Sequence, residues 1–217
     1  MKIIQCVLFC AALLLAPPLA AQSAGAAAYD SLLARFQAGD TTVATALRMA
    51  YAATPGYRPY DTDIPRWERE MAGAYESKDF PKMREVAERI LGRRYVDADG
   101  HMGLAVARLE MGDSAGAERH FRLAGALLSS IGEGGGRTAD SPMRVISTSE
   151  EYSFLRAGGL TRKRQSLSEC RGAPCDRMEV ADARTGETLV LYFDVSLPMS
   201  HLRSQMNGGE QGGKPKS

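Results

Sequence analysis

Residues 131–138 read IGEGGGRT, four glycines in eight positions, and no other stretch of this 217-residue chain looks so much like a catalytic motif. Glycine-rich turns cradle phosphates when GxxxxGK[ST] runs from a strand into a helix. Here the spacing is one residue short and Arg137 stands in place of lysine. The order is also inverted, because a helix-like run ending ALLSS precedes the glycines and a strand-like MRVIS follows. These glycines are expected to stop a helix and turn the chain. DADGH at Asp97–His101 places oxygen and nitrogen ligands at alternate positions. Its glycine comes too early for a calcium loop, and no glutamate follows at the twelfth position. A polar turn with a helix cap is the simpler reading.

The remaining candidates are few. Glu150 and Glu151 follow Ser149, a cap-type serine, and acids in a first helical turn suit the helix dipole without acting as general acids. His101 and His120 flank a turn near Asp113. Counting outward from that turn sets His120 opposite Val106, more than a helical turn from His101, on an apolar stripe where a satisfied, partly buried histidine is expected. Tyr57 and Tyr60 in YRPYDTDIP could anchor a partner or pack over helix ends. Arg162–Arg164 reads as a solvated strand edge. No serine, cysteine or histidine arrangement suggests nucleophilic catalysis, and no cofactor or metal is expected.

The start of the chain sets the compartment. Lys2 precedes an apolar run from Ile3 to Ala16, and Pro17, Pro18 and small residues follow. That is the layout of a secretory leader, with cleavage expected near Ala21. The run falls short of the ~20 residues that span a bilayer. A periplasmic or secreted product with no span after cleavage is expected, although a retained anchor is the other reading. Losing Lys2 leaves 26 of the 27 basic residues against 26 acidic ones, so nothing marks a nucleic-acid binder. Only Cys170 and Cys175 remain of four cysteines. In an oxidising compartment such a pair is read as a disulfide, a staple across the RGAP hairpin tip, since a zinc site lacks further ligands and the spacing is not C-x-x-C.

Residues 27–131 carry apolar residues at helical spacing. Six stripes are separated by AGD at Asp40, SKD at Asp79 and MGD at Asp113, three aspartates suited to cap helices. Three antiparallel helical hairpins are expected. Asp79 and Asp113 lie 34 residues apart, and residues 101–124 resemble a tetratricopeptide repeat, with Ala105, Gly112, Ala117, Phe121 and Ala124 at its small and aromatic positions. Residues 141–196 hold one short helix and alternating runs such as ETLVLYFDVS, expected to form a small antiparallel sheet. Residues 197–217 have little to bury and are expected to be disordered. The fold class is α+β.

YRPY (57–60), YVDADGHM (95–102), VISTSEEYSFL (145–155) and TGETLVLYFDVS (185–196), in this order, resemble the bacterial domain family of unknown function DUF4919. The resemblance spans nearly the whole chain after the leader and brings no activity, ligand or catalytic residue with it. The cysteine pair is not implied by it. The expected function is a non-catalytic module binding another protein or peptide of the cell envelope, with Tyr57, Tyr60, His101, Glu150 and Glu151 as candidate contacts. The alternative is an envelope hydrolase with a site between helices and sheet, using Glu150 or His101. A third reading is a purely supporting role in a larger assembly.

Overall fold

The computed structural model describes residues 18–210, and side-chain surroundings for residues 25–207. The leader expected over residues 1–21 lies outside the described residues except for its last four, which open the first helix. Six helices succeed one another: α1 (Pro18–Gln37), α2 (Ala44–Ala52), α3 (Asp63–Glu76), α4 (Phe80–Arg93), α5 (Ala98–Glu110) and α6 (Ser114–Gly132). Among the described residues no strand interrupts them. α1 packs on α2, α3 on α4, α4 on α5 and α5 on α6.

The three anticipated turns share one local solution. The residue before each aspartate has positive φ: 97° at Gly39, 57° at Lys78 and 86° at Gly112. That conformation ends the preceding helix, and the aspartate then caps the next helical segment. Asp79 accepts from the backbone N–H of Lys82 at 3.0 Å and Asp113 from that of Gly116 at 2.9 Å, while Asp40 accepts from Thr42 at 3.2 Å to start a short 3-10 turn before α2. Asp97 caps α5 in the same way through Gly100 N–H at 2.8 Å, so DADGH is a helix start.

Two apolar clusters fill the helical part. One joins α1, α2 and α6 around Phe36, Leu47 and Leu127, and the other joins α3, α4 and α5 around Ile64, Val86 and Ile90. The glycine stretch ends α6 and leads to β1 (Met143–Arg144), where Gly136 O accepts from Tyr192 N–H at 2.8 Å. α7 (Thr148–Ala157) comes next, then β2 (Leu160–Cys170), β3 (Ala173–Asp182) and β4 (Thr188–Asp194). The strand order is β1-β4-β3-β2. β2, β3 and β4 form the expected antiparallel meander. β1 corrects the expectation of a purely antiparallel sheet, because it runs parallel to β4, Met143 opposite Phe193. The physical reason is the crossover: α7 carries the chain from one edge of the sheet to the other, so β1 and β4 point the same way. Met178, Val180, Leu191 and Phe193 bury one face against α6 and α7 through Ile131 and Leu155. Arg162–Arg164 lies on edge strand β2, exposed as expected.

Cys170 and Cys175 form the disulfide, with α-carbons 5.7 Å apart, inside the usual range. The geometry differs from a bond across facing residues. Cys170 pairs with Ala173 and Cys175 with Ser168, so the bond runs diagonally. The turn is tighter than RGAP: Arg171 and Gly172 have φ of 52° and 79°, the left-handed pair of a two-residue type I′ hairpin.

Residues 197–210 also depart from expectation. They form α8 (Ser196–Glu210) rather than a disordered tail. Leu197 and Met199 pack on the cores of the helical and sheet parts, and the His201 ring meets Tyr57 edge-on at 5.1 Å. Those contacts supply burial that the polar composition of the segment does not suggest. Residues 211–217 lie outside the described residues.

Candidate functional site

A buried polar seam joins the helical part to the sheet. Arg48 on α2 is 1% exposed, and its guanidinium grips Glu150 on α7 in a two-pronged ion pair, 2.8 Å to Oε1 and 2.6 Å to Oε2. It also donates to Ser130 Oγ at 3.1 Å and Arg144 O at 2.8 Å. Glu150 Oε2 accepts from Ile146 N–H at 2.8 Å, and Tyr57 OH donates to Ile146 O at 2.6 Å. Tyr57 is therefore a buried strut, and burial chiefly pushes its hydroxyl pKa above the usual range. Along the same seam Arg94 pairs with Asp97 at 2.6 Å and reaches Ser149 Oγ at 2.8 Å.

Ser149 is thus not the helix cap that the sequence suggested. α7 begins two residues earlier than that cap would set it, at Thr148 after Ser147 and with no side-chain cap. Glu150 and Glu151 do lie in its first turn, but each faces a further group that decides its state. Glu150 answers a buried arginine. Glu151 is 0% exposed, and neither carboxyl oxygen has a donor. Burial first, then the charge of Asp176 and a hydrogen bond to it, push its pKa up to about 9. Tyr60, 41% exposed, lies close enough to feel both Asp176 and Glu151. The structure therefore groups Tyr57 with Glu150 and Tyr60 with Glu151.

His101 stands apart from that group. It is fully buried beside Tyr95 and Phe36. Contrary to the offset read from residue counting, its Nδ1 lies 2.9 Å from His120 Nδ1, with the rings stacked. Counting from the turn assumes that the end of α5 and the start of α6 lie level, and an axial displacement of about five residues, ~7.5 Å, removes the offset. Tyr95 O can only accept, so His101 Nε2–H donates to it at 2.9 Å and His101 Nδ1 accepts from His120 Nδ1–H. Burial lowers both pKa values to about 4, keeping the pair neutral at pH 7.

Ligand atoms of Glu68, Asp97 and Asp99 lie within 4.8 Å of one another. Two of these acids are already compensated, Asp97 by Arg94 and Asp99 by Arg156 and Ser153. Glu68 is the incomplete member: its Oε1 is buried without a partner, and Arg156 stands 4.0 Å from its Oε2. Burial, then Asp97 and Asp99, push its pKa up to about 7.

Glu68 opens onto a groove of about 520 Å³ between α3 and α5. Pro65, Glu68, Ala72 and Tyr75 repeat along one face of α3, and Asp99, Met102, Gly103 and Val106 along one face of α5, the 3–4 spacing of a helical stripe. Met71 and Met83 floor it. Gly103 allows the helices this approach, since a methyl group there would overlap Met71 Sδ. Tyr75 at one end is 55% exposed. A larger cavity of about 600 Å³ lies between helices and sheet, but its Glu133 accepts from Thr45 and its Asp194 pairs with Arg144.

Apart from Asp99, within DADGH, the groove residues were not singled out in the sequence. Met71 and Met83 were visible as large residues where a tetratricopeptide pattern has small ones, which was the available signal.

A helical array buttressing a small sheet through a buried polar seam defines an α+β domain. A family model for a domain of unknown function, DUF4919, matches residues 21–204, and the chain belongs to that family. No curated protein matches the chain, and no solved structure matches it. No helix among the described residues is long and apolar enough to cross a membrane.

Proposed function

We propose that this chain is a non-catalytic protein- or peptide-binding module of the periplasm or cell exterior, with its site in the groove between α3 and α5. The leader-like N-terminus supports the compartment, and the tetratricopeptide-like pattern of the helices supports the mode of binding. The observation that carries the proposal is the groove itself. It is open, floored by methionines whose flexible, polarisable side chains adapt to apolar partners, and flanked by Glu68, one carboxyl oxygen of which has no partner. The residues a hydrolase would draw on, Glu150 and His101, are buried and engaged.

The occupant that fits is a segment of a partner protein with an apolar stripe and one lysine or arginine. From Pro65 to Tyr75 the α3 wall rises about 15 Å, the length of two to three helical turns or of four to five extended residues. Its cation would reach Glu68, while Met71, Met83 and Met102 take the apolar side chains. A cation there holds Glu68 ionised, so binding releases a proton and strengthens as pH rises through about 7.

Gly103→Ala tests the site. The added methyl displaces the mobile end of Met71 into the groove, while alanine gains about 1 kcal/mol of helix propensity over glycine, offsetting the strain. A lysine-bearing apolar peptide selected on the wild-type chain should bind Gly103→Ala at least tenfold more weakly, with helicity unchanged. It should also bind wild type more tightly at pH 8 than at pH 6. Equal affinity for both proteins would place the site elsewhere.

A further inference from the structure

A second cavity, independent of the groove, lies where α1, the end of α2 and the end of α4 meet. It measures about 530 Å³, within the range of small-molecule sites. Three tyrosines line it: Tyr29 from α1, Tyr51 from α2 and Tyr95 from the residues after α4. The Tyr29 and Tyr51 rings stand 5.8 Å apart at 51°, the two sides of a V. Tyr95 is held edge-on by Phe36 at 6.4 Å and by His101 at 4.8 Å, which fixes the third wall. Leu33 and Leu91 complete the apolar lining.

The charge in this cavity is one-sided. Asp30 lines it, is exposed, and makes no ion pair among the described residues. The cation that also lines it, Arg93, is engaged 2.7 Å from Asp61. The phenols cluster near Asp30 as well. Burial first, then the nearness of Tyr51, Asp30 and Tyr95, push the Tyr29 pKa up to about 12, so extra negative charge is disfavoured here. Aromatic rings with electron-rich faces and an uncompensated carboxylate attract a cation that carries apolar substituents, because such a cation loses little hydration on entering.

We propose that Tyr29, Tyr51, Tyr95 and Asp30 form a binding site for a small alkylated organic ammonium. The rings surround the alkylated head and Asp30 supplies the counter-charge. A neutral ligand of the same shape gains only the apolar contact.

The test uses choline and its uncharged isostere 3,3-dimethylbutan-1-ol as probes of the full chain, titrated by calorimetry. Choline should bind at least tenfold more tightly than the alcohol. Asp30→Asn, at an exposed position that leaves the fold intact, should weaken choline and leave the alcohol unchanged. Tyr95→Leu should weaken choline on the order of tenfold, the effect of removing one ring from a cation site. Because Tyr95 also packs on Phe36, its circular dichroism is compared with wild type, and Asp30→Asn carries the test if that variant is perturbed. Equal affinity for choline and the alcohol would overturn the proposal, as would tighter binding of a neutral methyl glycoside. No choline binding at millimolar concentration would overturn it too.

Discussion

Replacing Glu151 with glutamine is expected to stabilise the protein at pH 7. Glu151 is fully buried, and the group beside it, Asp176, is itself an acceptor that already takes the Gln165 amide at 2.6 Å. A proton on Glu151 gives this pair a donor. Burial, Asp176 and Glu150 raise the folded pKa to about 9, with Arg162 alone opposing, whereas the unfolded carboxyl ionises near its ordinary value of 4.5. Between those values the folded chain holds a proton that the unfolded chain has lost. Stability is therefore greatest below the unfolded pKa and falls by about 1.4 kcal/mol per pH unit as pH rises toward 9. By pH 7 the cost approaches ~3 kcal/mol. Glutamine keeps the volume, offers Asp176 an N–H and removes the titration. Urea unfolding should show a gain of ~2–3 kcal/mol at pH 7 that vanishes near pH 4. A variant less stable than wild type at pH 7, or a pH-independent difference, would contradict this account of Glu151.

The opposite result is expected for Arg48→Ala. Arg48 joins α2 to α7, α6 and β1 through four hydrogen bonds at 1% exposure. Its removal leaves the buried Glu150 carboxyl without its cation and with only the Ile146 N–H for company. Breaking one side of a buried pair costs ~3–5 kcal/mol, a large share of a typical domain's stability. Arg48→Met combined with Glu150→Gln should lose less than Arg48→Ala alone, because no unpaired charge remains. A cost below ~1 kcal/mol for the single variant would show that the seam does not hold the two parts together.

Periodicity and capping made the helical part legible. Asp40, Asp79 and Asp113 punctuated six stripes, and each proved to satisfy a free backbone N–H. Alternation in ETLVLYFDVS likewise marked β4. The direction of β1 was not legible, because two residues carry no register and only the crossover through α7 decides it. α8 was missed because its burial depends on Leu197 and Met199 meeting surfaces made by distant segments.

The seam was hidden for a related reason. Arg48 is the third member of a buried face that runs Ala44, Leu47, Arg48, Tyr51. A cation at that spacing can be read as a sign of a buried acid partner, but Glu150 lies 102 residues away. Glu150 and Glu151 were visible as a pair, while their opposite fates, one ion-paired and one protonated, depend on whether Arg48 or Asp176 faces each. The groove was hidden because Met71, Met83 and Met102 read as ordinary core residues until α3 and α5 are set side by side.

The central claim, that the groove between α3 and α5 takes a partner segment, is tested most directly by methyl signals of labelled methionines during titration with a selected lysine-bearing peptide. Met71, Met83 and Met102 lie in the groove, whereas Met143 and Met178 are buried in the sheet core and serve as internal controls. The groove methionines should shift progressively to saturation while Met143 and Met178 stay in place. Saturating peptide that moves the sheet methionines and leaves Met71, Met83 and Met102 unshifted would contradict the proposed site.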